Sequence, residues 1–79
     1  MAEAQVNLGA AYGKLGRYQE AQEALKQAIR LKPDLAGAHL DLGATYFALG
    51  DRGAALEEYG ILKDLDPSLA GKLFSLLYP

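Results

Sequence analysis

The chain has 79 residues, 51% apolar and 23% charged, the balance of an ordinary globular domain near the size at which one core is only just sufficient. Its net charge of -2, with eight Lys and Arg scattered among ten Asp and Glu, excludes the clustered basic face that nucleic acid binding needs. The absence of Cys rules out disulfides and thiolate metal sites, and no apolar run nears the roughly 20 residues that cross a bilayer. The N-terminal MAEAQVNLG lacks the basic and apolar regions of a signal peptide, so the expected location is the cytoplasm, with no membrane partner.

From the N-terminus, Leu8, Ala11, Tyr12 and Leu15 recur at i, i+3, i+4 and i+7 and predict a first helix with one apolar stripe. Gly16 follows the last periodic residue, where a helix ends with positive φ. Ala21, Leu25, Ala28, Ile29 and Leu31 predict a second helix, which ends where Pro33 disfavours helical backbone at Lys32. A third helix is expected from Ala36 to Leu49, a turn at Gly50, and a fourth helix from Arg52 to Leu65. Ser68, a good N-cap, is expected to open a fifth helix through Leu69, Leu73, Leu76 and Leu77.

The chain also repeats itself. Shifted by 34 positions, Leu8-Gly9 falls on Leu42-Gly43, Tyr12 on Tyr46, Gly16 on Gly50, Ala21 on Ala55, Leu31 on Leu65 and Pro33 on Pro67. A fixed period of this length marks a solenoid of stacked supersecondary units. Gly9 with Ala21, and Gly43 with Ala55, are expected to let the two backbones of each hairpin approach closely. Tyr12 and Tyr46 are expected to fill the space under the turns.

These residues resemble the tetratricopeptide repeat, whose pattern sets Leu-Gly, Tyr, Ala and Pro at fixed offsets. The first unit keeps Leu8, Gly9, Tyr12, Ala21 and Pro33; the second keeps Leu42, Gly43, Tyr46, Ala55, Tyr59 and Pro67. Gln5 and His39 stand where the family often has Trp, and Leu25 holds the later aromatic slot of the first unit. The resemblance implies an all-α, α–α superhelix of five helices in stacked antiparallel hairpins. The expected division is a single domain over 1–79, with repeats at 2–35 and 36–69 and a closing helix at 70–79.

The resemblance also implies that the first helix of each pair lines a concave surface holding a peptide or a partner helix. The expected contact residues are Val6, Asn7, Ala10 and Lys14 from the first unit, and Leu40, Asp41, Ala44 and Phe47 from the second. Some family members grip the C-terminal carboxylate of heat-shock chaperones with a clamp of Lys, Asn, Asn, Lys and Arg. Those slots here hold Val6, Ala10, Asp41, Gly71 and Ser75, so that activity is not expected.

No catalytic activity, cofactor or metal is expected. His39 is the single His, there is no HExxH spacing or phosphate loop, and Glu57 and Glu58 diverge around their helix. Leu62 and Lys63 stand where the first unit has Ala28 and Ile29, so the fourth helix is expected to roll to fit the closing helix differently. Two units and a closing helix are fewer than a solenoid usually needs. The expectation is therefore a fragment of a longer array, or a small protein that completes its core by homo-oligomerisation. The function expected is a protein-interaction scaffold, with self-assembly as the alternative.

Overall fold

The computed structural model describes residues 1–79 as five α-helices and no strand. They are α1 (Ala2–Lys14), α2 (Tyr18–Leu31), α3 (Ala36–Ala48), α4 (Arg52–Leu65) and α5 (Pro67–Leu77). The pairs α1–α2 and α3–α4 form hairpins, α2 packs on α3, and α5 closes against α3 and α4. None of these helices is long and apolar enough to cross a membrane.

The hairpin turns explain the repeated Tyr-to-Gly spacing. Gly16 and Gly50 adopt φ of 76° and 84°, the left-handed region that favours glycine. The Arg17 N–H then donates to the Tyr12 carbonyl at 2.9 Å and the Gly16 N–H to the Gly13 carbonyl at 3.1 Å. In the second unit Asp51 donates to Tyr46 at 2.8 Å and Gly50 to Phe47 at 3.0 Å. Each is a Schellman motif, in which the glycine folds the chain back and satisfies carbonyls left over at the helix end. Beyond α2, Lys32 is extended (φ -148°, ψ 91°), as the following proline demands.

One predicted start is corrected. The N-cap of α5 is Asp66, not Ser68: its carboxylate accepts from the Leu69 N–H at 3.2 Å. Pro67 takes the first helical position, where no N–H is needed.

The core is small and lies mainly in the second half. Its four largest fully buried side chains are Leu25, Leu62, Leu73 and Leu77, and the last three belong to α4 and α5. Ala55 and Ala70 complete their cluster, so the closing helix is part of the core rather than a cover laid on it. Leu62, in the slot where the first unit has Ala28, is fully buried there, while the neighbouring Lys63 is exposed.

The two repeat glycines serve different neighbours. A Cβ on Gly9 would stand 2.6 Å from Leu25 Cγ and 3.3 Å from the Ala21 carbonyl, so Gly9 does permit the close approach of α2. A Cβ on Gly43 would instead meet Leu73 Cδ2 of α5 at 2.6 Å, with Glu58 Cβ of α4 at 3.4 Å. Gly43 therefore makes room for Leu73 of α5 as well as for the close approach of α4. Gly43→Ala is expected to cost about 1–3 kcal/mol through overpacking. Gly60→Ala, in α4 with nothing within 4 Å, is expected to gain about 0.5–1 kcal/mol. Thermal midpoints moving in the same direction for both variants would contradict this assignment.

The predicted apolar stripe of α1 is real in sequence but uncovered in space. Leu8 is 44% exposed and Leu15 70%, whereas Leu42, in the Leu8 slot one repeat later, is 3% exposed where α2 packs on α3. The stripe faces the side on which a preceding helix would stack, and no element of this chain lies there. What α1 buries instead is Ala2 and Gly9.

Candidate functional site

Where α1 and α3 run side by side they leave an open cleft of about 440 Å³. From α1 it is lined by Gly9, Ala10, Gly13 and Lys14, and from α3 by Asp41, Ala44, Thr45, Phe47 and Ala48, with Tyr18 and Leu76 also contributing. The spacing is helical: Gly13 and Lys14 lie three and four residues beyond Ala10, Ala44 and Thr45 three and four beyond Asp41, and Ala48 four beyond Ala44. Small side chains on both helices leave the volume open. Phe47 is the large ring contributed by α3; it is half-buried against the core cluster, with the Arg52 guanidinium 5.9 Å from its centroid.

Of the eight residues expected to contact a partner, five meet in this cleft: Ala10, Lys14, Asp41, Ala44 and Phe47. The other three do not line it. Val6 is half-buried, Asn7 is exposed, and Leu40 is half-buried with its side chain packed on the core cluster. Tyr18 and Leu76 were not expected to line the cleft. Their slots belong to α2 and α5, so periodicity along α1 and α3 carries no sign of them.

Asp41 is electrostatically unusual. Its side chain is half-buried, and burial pushes its carboxyl above the usual range. It takes no part in the two ion pairs of the domain, Arg17–Glu20 and His39–Glu58. The Thr45 hydroxyl donates to the Asp41 main-chain carbonyl at 2.7 Å, not to the carboxylate.

The sign of the resulting pH dependence is fixed. A raised carboxyl pKa means that the folded state binds more protons than the unfolded one between the ordinary Asp value, about 3.9, and the folded value. Stability is thus lost as pH rises through that window, and ionised Asp41 costs stability at neutral pH. Asp41→Asn is expected to raise the melting temperature at pH 7 and to leave it nearly unchanged at pH 3, where the wild-type carboxyl is protonated. An Asn variant less stable than wild type at pH 7 would contradict the desolvation of this group.

His39 is 4% exposed and has a polar role. Its Nε2–H donates to the Pro33 carbonyl at 2.8 Å, and Nδ1 lies 2.6 Å from Glu58 Oε1. It ties the inter-repeat loop to α4, away from the cleft. Tyr59 of α4, Phe74 of α5 and Tyr78 just beyond α5 pack as tilted rings with centroids 5.7 and 5.0 Å apart, and Lys63 and Arg52 lie over the outer two rings.

A second depression, of about 730 Å³, lies between α1 and α2. It is lined by Leu8, Tyr12 and Ala24 among Gln5, Gln19, Glu20, Glu23 and Gln27. It includes the uncovered side of α1, the face on which α3 receives α2 one repeat later. No group of three or more His, Cys, Asp or Glu side chains is placed to hold a metal ion.

Known proteins share this pattern. A family model described as TPR repeat matches residues 9–50, more than half of the chain. The Hsp70-Hsp90 organizing protein of Triticum aestivum is 37% identical over 65 residues, which cover 82% of this chain and 11% of that protein. The tetratricopeptide repeat and J domain-containing co-chaperone DNJ1 of Fusarium oxysporum f. sp. lycopersici is 41% identical over 51 residues, covering 65% of this chain and 10% of that protein. The chain thus spans about a tenth of the length of either relative. With two hairpins of one period, glycines at both turns and close contacts over Gly9 and Gly43, the chain belongs to the tetratricopeptide repeat family.

Proposed function

We propose that this chain is a non-enzymatic scaffold that holds a peptide or helix of another protein in the cleft between α1 and α3. The observation that carries this reading is the cleft itself: small apolar walls, the two aromatic rings of Phe47 and Tyr18 and an opening to solvent, the kind of surface on which a protein segment is desolvated. Both relatives bear names of chaperone-associated proteins, which supports a protein partner. The chaperone carboxylate clamp is not carried over, since Val6, Ala10, Asp41, Gly71 and Ser75 supply none of its cations.

A charge introduced on the cleft wall tests the reading. Ala10 is exposed on α1, so Ala10→Glu leaves the core intact. Phe47→Glu probes the ring, with circular dichroism as the check on folding because Phe47 also touches the core cluster. Partner capture from a peptide array is expected to drop at least about tenfold, roughly 1.4 kcal/mol, for both variants. Undiminished binding by a folded Ala10→Glu would place the partner elsewhere.

The second reading is self-association, favoured by the exposure of Leu8 and Leu15 on the outer side of α1. Another copy that covered this side would bury the stripe as α2 buries Leu42. Sedimentation across a concentration range tests it: a strict monomer at high concentration removes this alternative.

A further inference from the structure

The carboxylates of this domain divide by use. Asp51 caps α4 by accepting from the Ala54 N–H at 3.1 Å, Asp66 caps α5, Glu58 holds His39, and Glu20 pairs with Arg17. Asp41 stands in the middle of α3, half-buried, and does none of these things. No side-chain hydrogen bond of the domain reaches its carboxylate. A partly desolvated charge without a partner costs free energy, and a fold gains nothing by placing it there.

The surroundings say what would satisfy it. Asp41 opens into the α1–α3 cleft, between the small walls of Ala10, Gly13 and Ala44. Two ionisable groups from other helices line the same cleft, Lys14 of α1 and Tyr18 of α2. Lys14 makes no ion pair with Asp41, which leaves its ammonium farther than 4 Å away, and it is exposed. Thr45 is already committed to the main chain. The methylene stem of a Lys or Arg fits small apolar walls while its head seeks an anion.

Resting on the reading of this cleft as a partner site, we propose that its occupant is an apolar protein segment carrying a single Lys or Arg whose cationic head pairs with Asp41. The apolar residues of the segment lie on Ala44 and Phe47. The carboxylate then recovers, in the complex, the counter-charge it lacks in the free domain. The specificity is opposite in sign to that of a carboxylate clamp: the cleft selects against acidic segments at this depth.

The test uses three capped amphipathic peptides of Leu and Ala that differ at one central position, Lys, Gln or Glu, titrated into the whole chain. Fluorescence anisotropy reads affinity, and amide chemical shifts locate the contact. Wild type is expected to bind the Lys peptide about five- to tenfold tighter than the Gln peptide, with the Glu peptide weakest. Shifts are expected at Ala10, Ala44 and Phe47. In Asp41→Asn the preference for the Lys peptide over the Gln peptide is expected to vanish. The Asp41 carboxyl carbon should also titrate at lower pH with the Lys peptide bound than in the free chain. Equal affinities for all three peptides, with shifts in the cleft, would overturn the cation anchor and leave the cleft reading standing. A preference for the Glu peptide that disappears in Lys14→Gln would overturn it in favour of Lys14. An absence of shifts in the cleft with every peptide would sink both readings together.

Discussion

Leu73→Ala is expected to remove a large share of the stability of this domain. Leu73 is fully buried, sits at the meeting of α3, α4 and α5, and belongs to the one cluster of large apolar side chains. Truncating such a Leu costs about 2–5 kcal/mol, the spread reflecting how far the site collapses. A chain of this length holds a total on the order of 4–12 kcal/mol. For domains this small each kcal/mol moves the melting temperature by about 4–8 °C, so a fall of about 8–40 °C is expected in a thermal circular dichroism scan.

The contact over Gly43 adds a second, sharper expectation. The clash that makes Gly43→Ala unfavourable is with the Leu73 methyls, at 2.6 and 3.0 Å. In the Leu73→Ala background that clash is gone, and the new methyl fills part of the vacated space. Gly43→Ala should then be neutral or stabilising, giving a coupling energy of about 1–3 kcal/mol between the two sites. Additive effects would mean that the α3–α5 contact is not what Gly43 serves.

His39→Leu is expected to be nearly as damaging. The Pro33 carbonyl can only accept, so Nε2 donates to it, and Nδ1 faces the Glu58 carboxyl at 2.6 Å. Removing the ring leaves Glu58, whose side chain is only 12% exposed, without its partner. Breaking a buried pair from one side costs about 3–5 kcal/mol, while replacing both members by apolar side chains costs far less. The double variant His39→Leu/Glu58→Leu should therefore recover much of the loss in urea midpoint. Glu58→Gln should be mild, because its amide can still donate to Nδ1 of a neutral ring. A double variant no better than His39→Leu alone would assign the loss to packing of the imidazole rather than to the stranded charge.

Much of this molecule is legible from residue order. Tyr12 to Gly16 and Tyr46 to Gly50 announce the two turns, Pro33 and Pro67 separate the units, and the 34-residue offset implies stacking. The candidate cleft is half legible. The helical slots of α1 and α3 bring Ala10, Lys14, Asp41, Ala44 and Phe47 to one surface, but they also nominate Leu40, which packs on the core, and miss Tyr18 and Leu76. Slot assignment treats each hairpin as if its neighbours were alike. Here α5 stands where a third repeat would begin and carries Leu73 where the earlier units have Gln5 and His39.

By itself the sequence determined the number of helices, their turns and the period. These follow from interactions within a few residues: i to i+4 hydrogen bonds, the φ that glycine allows, and the backbone that proline forbids. Only the tertiary structure decided that the stripe of Leu8 and Leu15 is bare while Leu42 is covered. It alone revealed that Leu73 of α5 lies against Gly43, that His39 ties Pro33 to Glu58, and that Asp41 is left without a counter-charge. Burial and pairing are properties of neighbours far apart along the chain, and a side chain has no environment until another element is laid against it.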